Sequence, residues 1–156
     1  MPWTPLALPP PPPASTAAAR GVLSRTARRD TAPELALRRA MHRLGMRFLV
    51  DVAAPGTSRR RRVDVLLRGS RIAVLVHGCF WHGCPRHYHP PKANSAWWEL
   101  KLRSVQERDT DTLDRLSQAG WLPLVVWEHE DMERAAARVQ AVYRARRHFL
   151  DHRPGT

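Results

Sequence analysis

The segment "RIAVLVH", residues 71–77, constrains the fold more than any other stretch of this chain. Between its ends it is apolar without alternation, so as a strand it has no face to offer to water. It therefore belongs at the centre of a sheet, covered on both sides by other elements. "VDVLL" (63–67) reads as the strand before it, separated by the turn "RGS" (68–70). "MRFLVDV" (46–52) is an earlier strand candidate, and "WLPLVVWEH" (121–129) reads as another buried strand.

Helical signals fill the remaining space. "RRDTAPELALRRAMHRLG" predicts a helix that Thr31 caps, with Glu34 three residues on as a capping box. Pro33 fits the first turn, and Gly45 can end the helix. Its apolar positions are Leu35, Leu37, Met41 and Leu44. "SAWWELKLRSVQERDTDTLDRLSQAG" (95–120) is the clearest helix, with Ser95 as cap and Gly120 as stop. Trp98, Leu102, Val105, Leu113 and Leu116 recur at helical spacing, and Asp109 falls in the same stripe. Residues 131–149 read as a basic terminal helix. The order α-β-β-β-α-β-α, a meander followed by a helical crossover, predicts an α/β fold with a mixed central sheet flanked by helices. That is the element order of the restriction-endonuclease-like core.

Charge narrows the function. Twenty-six Lys and Arg against 14 Asp and Glu give a formal charge of +12, nearly all of it arginine. Such a surplus favours a polyanionic partner, and the planar fork of Arg suits phosphate. A G- and C-rich genome would inflate arginine too, so charge alone does not decide. The opening "LALPPPPPAST" predicts a disordered, polyproline-like tail over 1–19. One domain over 20–150 follows, then a disordered end at 151–156. No apolar run approaches the ~20 residues of a membrane span, and no secretory signal is visible. A cytoplasmic location is expected, where two cysteines five residues apart are metal ligands or free thiols rather than a disulfide.

The chemistry concentrates in "VHGCFWHGCPRHYHPP" (76–91). Cys79, Cys84 and His87 supply three zinc-type ligands within nine residues, and zinc takes four. His129, at the end of the last apolar strand, is the candidate for the fourth, with His89 as a local competitor. Four such ligands leave no open position, which marks a structural site. His77 and His82 lie near a strand end, where a histidine can take a proton from water at neutral pH; His82 could equally ligate zinc. Asp64 interrupts an apolar strand and must be solvated, paired or metal-bound. Asp109 in an apolar helical stripe is either a core-edge ion pair or functional. Glu34 is explained by the capping box, with catalysis as the sharper alternative. Phe80 and Trp81 occupy a loop too short to bury both, and exposed aromatics on a basic surface can stack on bases or wedge between them. Trp97 and Trp98 could do the same.

Taken together, "DTAPELALRRA", "RRRRVDVLL", "HGCFWHGCP", "WWELKL", "ERD" and "GWLPLVVWEHED", in that order, closely resemble the Vsr family of very-short-patch-repair, or mismatch, endonucleases. The resemblance covers roughly residues 24 to 133. It implies a restriction-endonuclease-like fold with a structural zinc. It implies Mg2+-dependent hydrolysis of the phosphodiester 5′ of the mispaired thymine in a T:G mismatch made by deamination of 5-methylcytosine. Asp64 then matches the metal-binding aspartate, and Val76 supplies a backbone carbonyl to the same ion. His82 matches the catalytic histidine, and His77, Glu34 and Asp109 match polar residues around the metal-bound waters. Phe80, Trp81 and Trp98 match intercalating aromatics, with Lys101 and Arg108 beside them as DNA contacts. The chain departs from the family in a shorter loop after "FWH", in His129 where others carry cysteine, in Val76 where threonine is known, and in Val105 where many have asparagine. A monomer acting on double-stranded DNA is expected, with mismatch-repair proteins as possible partners. Two rival readings are a zinc-stapled DNA-binding module without catalysis, and a nuclease of the same fold without mismatch preference.

Overall fold

A computed structural model describes residues 3–17, 20 and 29–152. The elements are α1 (Ala32–Arg43), β1 (Leu49–Ala53), β2 (Arg62–Leu67), a 3-10 turn (Arg68–Ser70), β3 (Ile72–His77), α2 (Ser95–Gln118), β4 (Leu122–Trp127) and α3 (Met132–Asp151). The strands form one sheet in the order β1-β2-β3-β4. β1, β2 and β3 pair antiparallel, and β3 pairs β4 in parallel. The predicted mixed sheet flanked by helices is the fold.

Alternation along β3 builds two cores from one strand. Ile72 and Val74 join Leu37, Ala40 and Met41 of α1 and Ala135, Ala136 and Val139 of α3. Ala73 and Leu75 join Val63, Leu66 and Leu116 on the α2 side. This is why the sequence of β3 carries no polar face.

The structure revises several expectations. β4, expected to be buried, is an edge strand and mostly half-buried. Pro123 explains why: Leu122 and Glu128 donate to Arg71 and His77, so the residue after Leu122 turns its donor position to the open edge, where a missing N–H costs nothing. β1 begins at Leu49 rather than Met46, because Met46 closes the α1 turn by donating to Met41. Gly45, at φ +80°, provides the left-handed residue that turn needs. Leu44 is exposed, leaving Leu37, Ala40 and Met41 as the buried apolar face of α1. Asn94, not Ser95, precedes the first turn of α2, in the left-handed conformation that asparagine tolerates. The capping box of α1 is rearranged. The Thr31 side chain accepts no bond from the first turn of α1. The hydroxyl donates to Glu34 instead, and Glu34 reaches back to the Asp30 N–H.

Residues 3–14 of the proline-rich segment carry no helix or strand. The Trp3 ring lies 5.0 Å from the Arg61 guanidinium, and the Pro9 carbonyl accepts from the Trp97 indole at 3.1 Å. Of the expected C-terminal tail, residues 151 and 152 close α3 and 153–156 lie outside the described residues, as do 21–28.

Candidate active site and metal centre

The β2–β3 ladder ends at Val65–Val74. Beyond it, the Asp64 carboxylate takes over as acceptor and binds the Val76 N–H at 2.6 Å. The N–H and C=O of one strand residue point to the same side. The Val76 carbonyl therefore faces the Asp64 side, while the neighbouring His77 carbonyl accepts from Glu128 of the β4 side. A carboxylate and a carbonyl converge where two strands part. Burial pushes the Asp64 carboxyl up to about 6, with Glu34 adding to the rise and the Val76 N–H, Arg38 and His82 opposing it. A cation beside Asp64 would offset that burial cost, and an oxygen pair fits a hard ion such as Mg2+.

His82 lies on the loop after β3, and its Nδ1 is 2.5 Å from Asp109 Oδ2 on α2. A carboxylate on Nδ1 fixes the tautomer and leaves Nε2 as the proton acceptor. The Asp109 anomaly in the α2 stripe is thus a histidine partner. His77 is buried and stacks on His82, with ring centroids 4.0 Å apart and planes within 6°. Burial, helped by His82, drives His77 down to about 4, so it is neutral at pH 7. Glu34 and Arg38 of α1 are both buried and paired at 3.2 Å, within Coulombic reach of Asp64.

The loop's second cluster is Cys79, Cys84, His87 and His129, whose ligand atoms all lie within 4.8 Å of one another. Cys79 Sγ is 3.2 Å and Cys84 Sγ 3.5 Å from His129 Nδ1, and Cys84 Sγ is 3.7 Å from His87 Nδ1. Zinc–sulfur and zinc–nitrogen bonds of ordinary length give tetrahedral edges of roughly 3.5 Å. The donor set therefore fits zinc in type, number and spacing. His89 is exposed and outside the cluster. Burial and the neighbouring Cys84 push the Cys79 thiol up to about 11. Burial works to raise Cys84 also, but hydrogen bonds from the Arg86 backbone and His87 prevail and bring it to about 7.

Gly83 joins the two clusters. Its φ is +64°, and a Cβ there would meet Leu102 and Gln106 of α2 at 2.7 Å. The left-handed backbone favours glycine there and sets the loop against the Leu102 and Gln106 side chains. Phe80, Trp81, Trp97 and Trp98 are half-buried rather than exposed, because they cover each other. Phe80 lies 5.1 Å from Trp81 and 5.3 Å from Trp98, and Trp97 lies 5.0 Å from Trp98, all edge to face. Lys101 lines the shallow dent beside them, which encloses about 10 Å³, room for one water and no ligand. Arg108 is exposed, 3.6 Å from Asp109. Among the candidate ligands the structure brings together Cys79, Cys84, His87 and His129 and leaves out His89, while His77, His82 and Asp109 form a second group.

Sequence reasoning missed Glu128 and Arg38. Glu128 accepts the Cys79 N–H at 2.6 Å and anchors the start of the loop to the end of β4. Its signal was an acid placed directly before His129 at a strand end. Arg38 gave the signal of an arginine on the apolar face of α1, four residues after Glu34.

The sequence model of the family described as DNA mismatch endonuclease Vsr matches residues 15–87. The Type II nicking enzyme V.NaeI of Lentzea aerocolonigenes is 39% identical over 126 residues, covering 80% of this chain and 74% of that protein. The Type II nicking enzyme V.XorIIP of Xanthomonas oryzae is 33% identical over 128 residues, covering 79% of this chain and 90% of that one. The DNA mismatch endonuclease Vsr of Escherichia coli is 35% identical over 108 residues, 65% of this chain and 64% of that protein.

Proposed function

This chain belongs to the Vsr family of DNA endonucleases, and from that premise we propose that it nicks duplex DNA on the 5′ side of the mispaired thymine in T:G mismatches, with Mg2+. The observation that carries the reading is the His82–Asp109 pair at 2.5 Å, set on the loop that leaves the strand end where Asp64 meets Val76. That is a general base beside a cation pocket.

Asp64 and the Val76 carbonyl would hold Mg2+, which when bound neutralises charge developing on the phosphate and acidifies a water. His82 Nε2 takes the proton from the attacking water, and Asp109 stabilises the imidazolium that forms. His77, stacked on His82 and kept neutral by its burial, holds the ring plane without adding a competing charge. Glu34 orients waters around the cation. Cys79, Cys84, His87 and His129 would hold zinc and tie the loop to the ends of β3 and β4. Phe80, Trp81 and Trp98 form a ready-made wedge, with Lys101 and Arg108 beside it for the backbone. A T:G wobble pair resists insertion less than a matched pair, so the wedge selects by deformability. The asymmetric substrate suits a monomer. Among the described residues no helix is long and apolar enough to cross a membrane.

The test uses labelled duplexes differing only in T:G, C:G or T:A at one position, with Mg2+ or EDTA, beside Asp64→Ala. The expected result is a nick in the T strand of the T:G duplex alone, requiring Mg2+ and lost in the variant. Binding without cutting would leave a DNA-binding module. Equal cutting of all three would keep the chemistry and remove the mismatch role.

A further inference from the structure

Glu34 on α1 lies within Coulombic reach of Asp64 on β2, and Asp30 adds a third carboxylate next to Glu34. Like charges in a buried setting repel unless a positive group lies among them. Arg38 is that group. Its side chain is 10% exposed. Nη1 is 2.5 Å from Asp30 Oδ1 and Nη2 is 3.2 Å from Glu34 Oε2. Its Nε is buried with no partner among the described residues. A guanidinium that leaves one donor unpaired in order to serve two carboxylates is held there for its charge, which it never loses. The other Glu34 contacts, from the Thr31 hydroxyl and the Asp30 N–H, are neutral donors and cannot balance an anion pair.

We infer that Arg38 is a positioning residue, a built-in cation that keeps Glu34 beside Asp64 before any divalent ion arrives. This rests on the reading of Asp64 as the cation-binding residue. The consequence has a distinctive sign. Removing the guanidinium makes the pocket more negative, so the protein should bind a divalent ion more tightly and depend on that ion for its fold. A merely structural arginine would lower stability equally with and without the ion.

The experiment titrates Mn2+ into the full-length protein, DNA-free and supplied with one equivalent of Zn2+ to fill the Cys/His cluster. Free Mn2+ is followed by its electron-paramagnetic-resonance signal, and thermal unfolding is recorded in chelator and in saturating Mn2+. Arg38→Met should bind Mn2+ about tenfold more tightly than the wild type, given one unit charge lost next to a divalent ion. Its midpoint should fall in chelator and recover in Mn2+. Arg38→Lys, which keeps the charge and loses the fork, should stay within about threefold of wild type in Mn2+ binding. If Arg38→Met cannot be folded in chelator, Arg38→Gln with Asp30→Asn removes one charge of each sign and is the folded comparison; it too should bind Mn2+ more tightly, because Glu34 and Asp64 lose their cation. Asp64→Ala should abolish the binding, which locates the ion. Unchanged Mn2+ affinity in the Arg38 variants, with equal loss of midpoint in both conditions, overturns the inference and leaves the nuclease reading intact. Absence of Mn2+ binding in the wild type overturns both.

Discussion

Asp64 is a residue that the fold tolerates rather than needs. Its carboxyl sits at about 6 because burial opposes the charged form. A carboxylate raised in the folded state destabilises that state wherever it is ionised. The cost is absent below the unfolded value near 4, grows as pH rises, and is complete above about 6. Asp64→Asn keeps an acceptor for the Val76 N–H and carries no charge. In chelator at pH 7 it should be more stable than the wild type by up to about 3 kcal/mol, and at pH 4 indistinguishable from it. Chemical denaturation at the two pH values reads this directly, and a gap as large at pH 4 as at pH 7 would refute the burial account. The same residue shows what sequence can reveal. An aspartate inside "RVDVLL" stands out because nothing apolar explains it. Arg38 escaped notice because arginines are abundant in this chain, and only the fold distinguishes a buried one from the exposed majority.

At the scale of elements, the patterns that were readable are the ones set by burial. β3, with no polar face, identified itself as the centre, and the α-β-β-β-α-β-α order followed from the remaining patterns. β4 misled because five apolar residues look buried, while the position of Pro123 at an open edge depends on which carbonyls its neighbours meet. The set Cys79, Cys84, His87 and His129 was legible by residue type and spacing, but leaving His89 out of it needed the fold, which brings His129 across from the end of β4. That cluster ties the loop after β3 to the residues after β4, so it secures the parallel edge pair. Stripping the zinc proposed there with a strong chelator should lower the unfolding midpoint by at least about 5 °C. Amide hydrogen exchange should rise first in 78–88 and at the end of β4. Uniform exchange across the sheet would assign the cluster no such local role.

For the whole molecule, the formal charge of +12 acts at a distance while the cleavage site acts at contact. Binding to matched duplex DNA should therefore fall steeply with salt, by about 10³-fold between 50 and 200 mM if some six phosphates are engaged. The proposed preference for a mismatch, being assigned to neutral aromatics, should change little across that range. Fluorescence anisotropy on matched and T:G duplexes separates the two terms, and a preference that vanished with salt would place recognition in the arginines. Gly83 has a further consequence at this scale. Its left-handed backbone sets the loop that holds Phe80, Trp81 and His82 against the Leu102 and Gln106 side chains of α2, the helix that holds Trp98 and Asp109. In the proposed mechanism wedge and base would then belong to one packed unit. On that reading a duplex that refuses the wedge would also keep its phosphate away from His82, so that recognition and cutting would share a single act of fit.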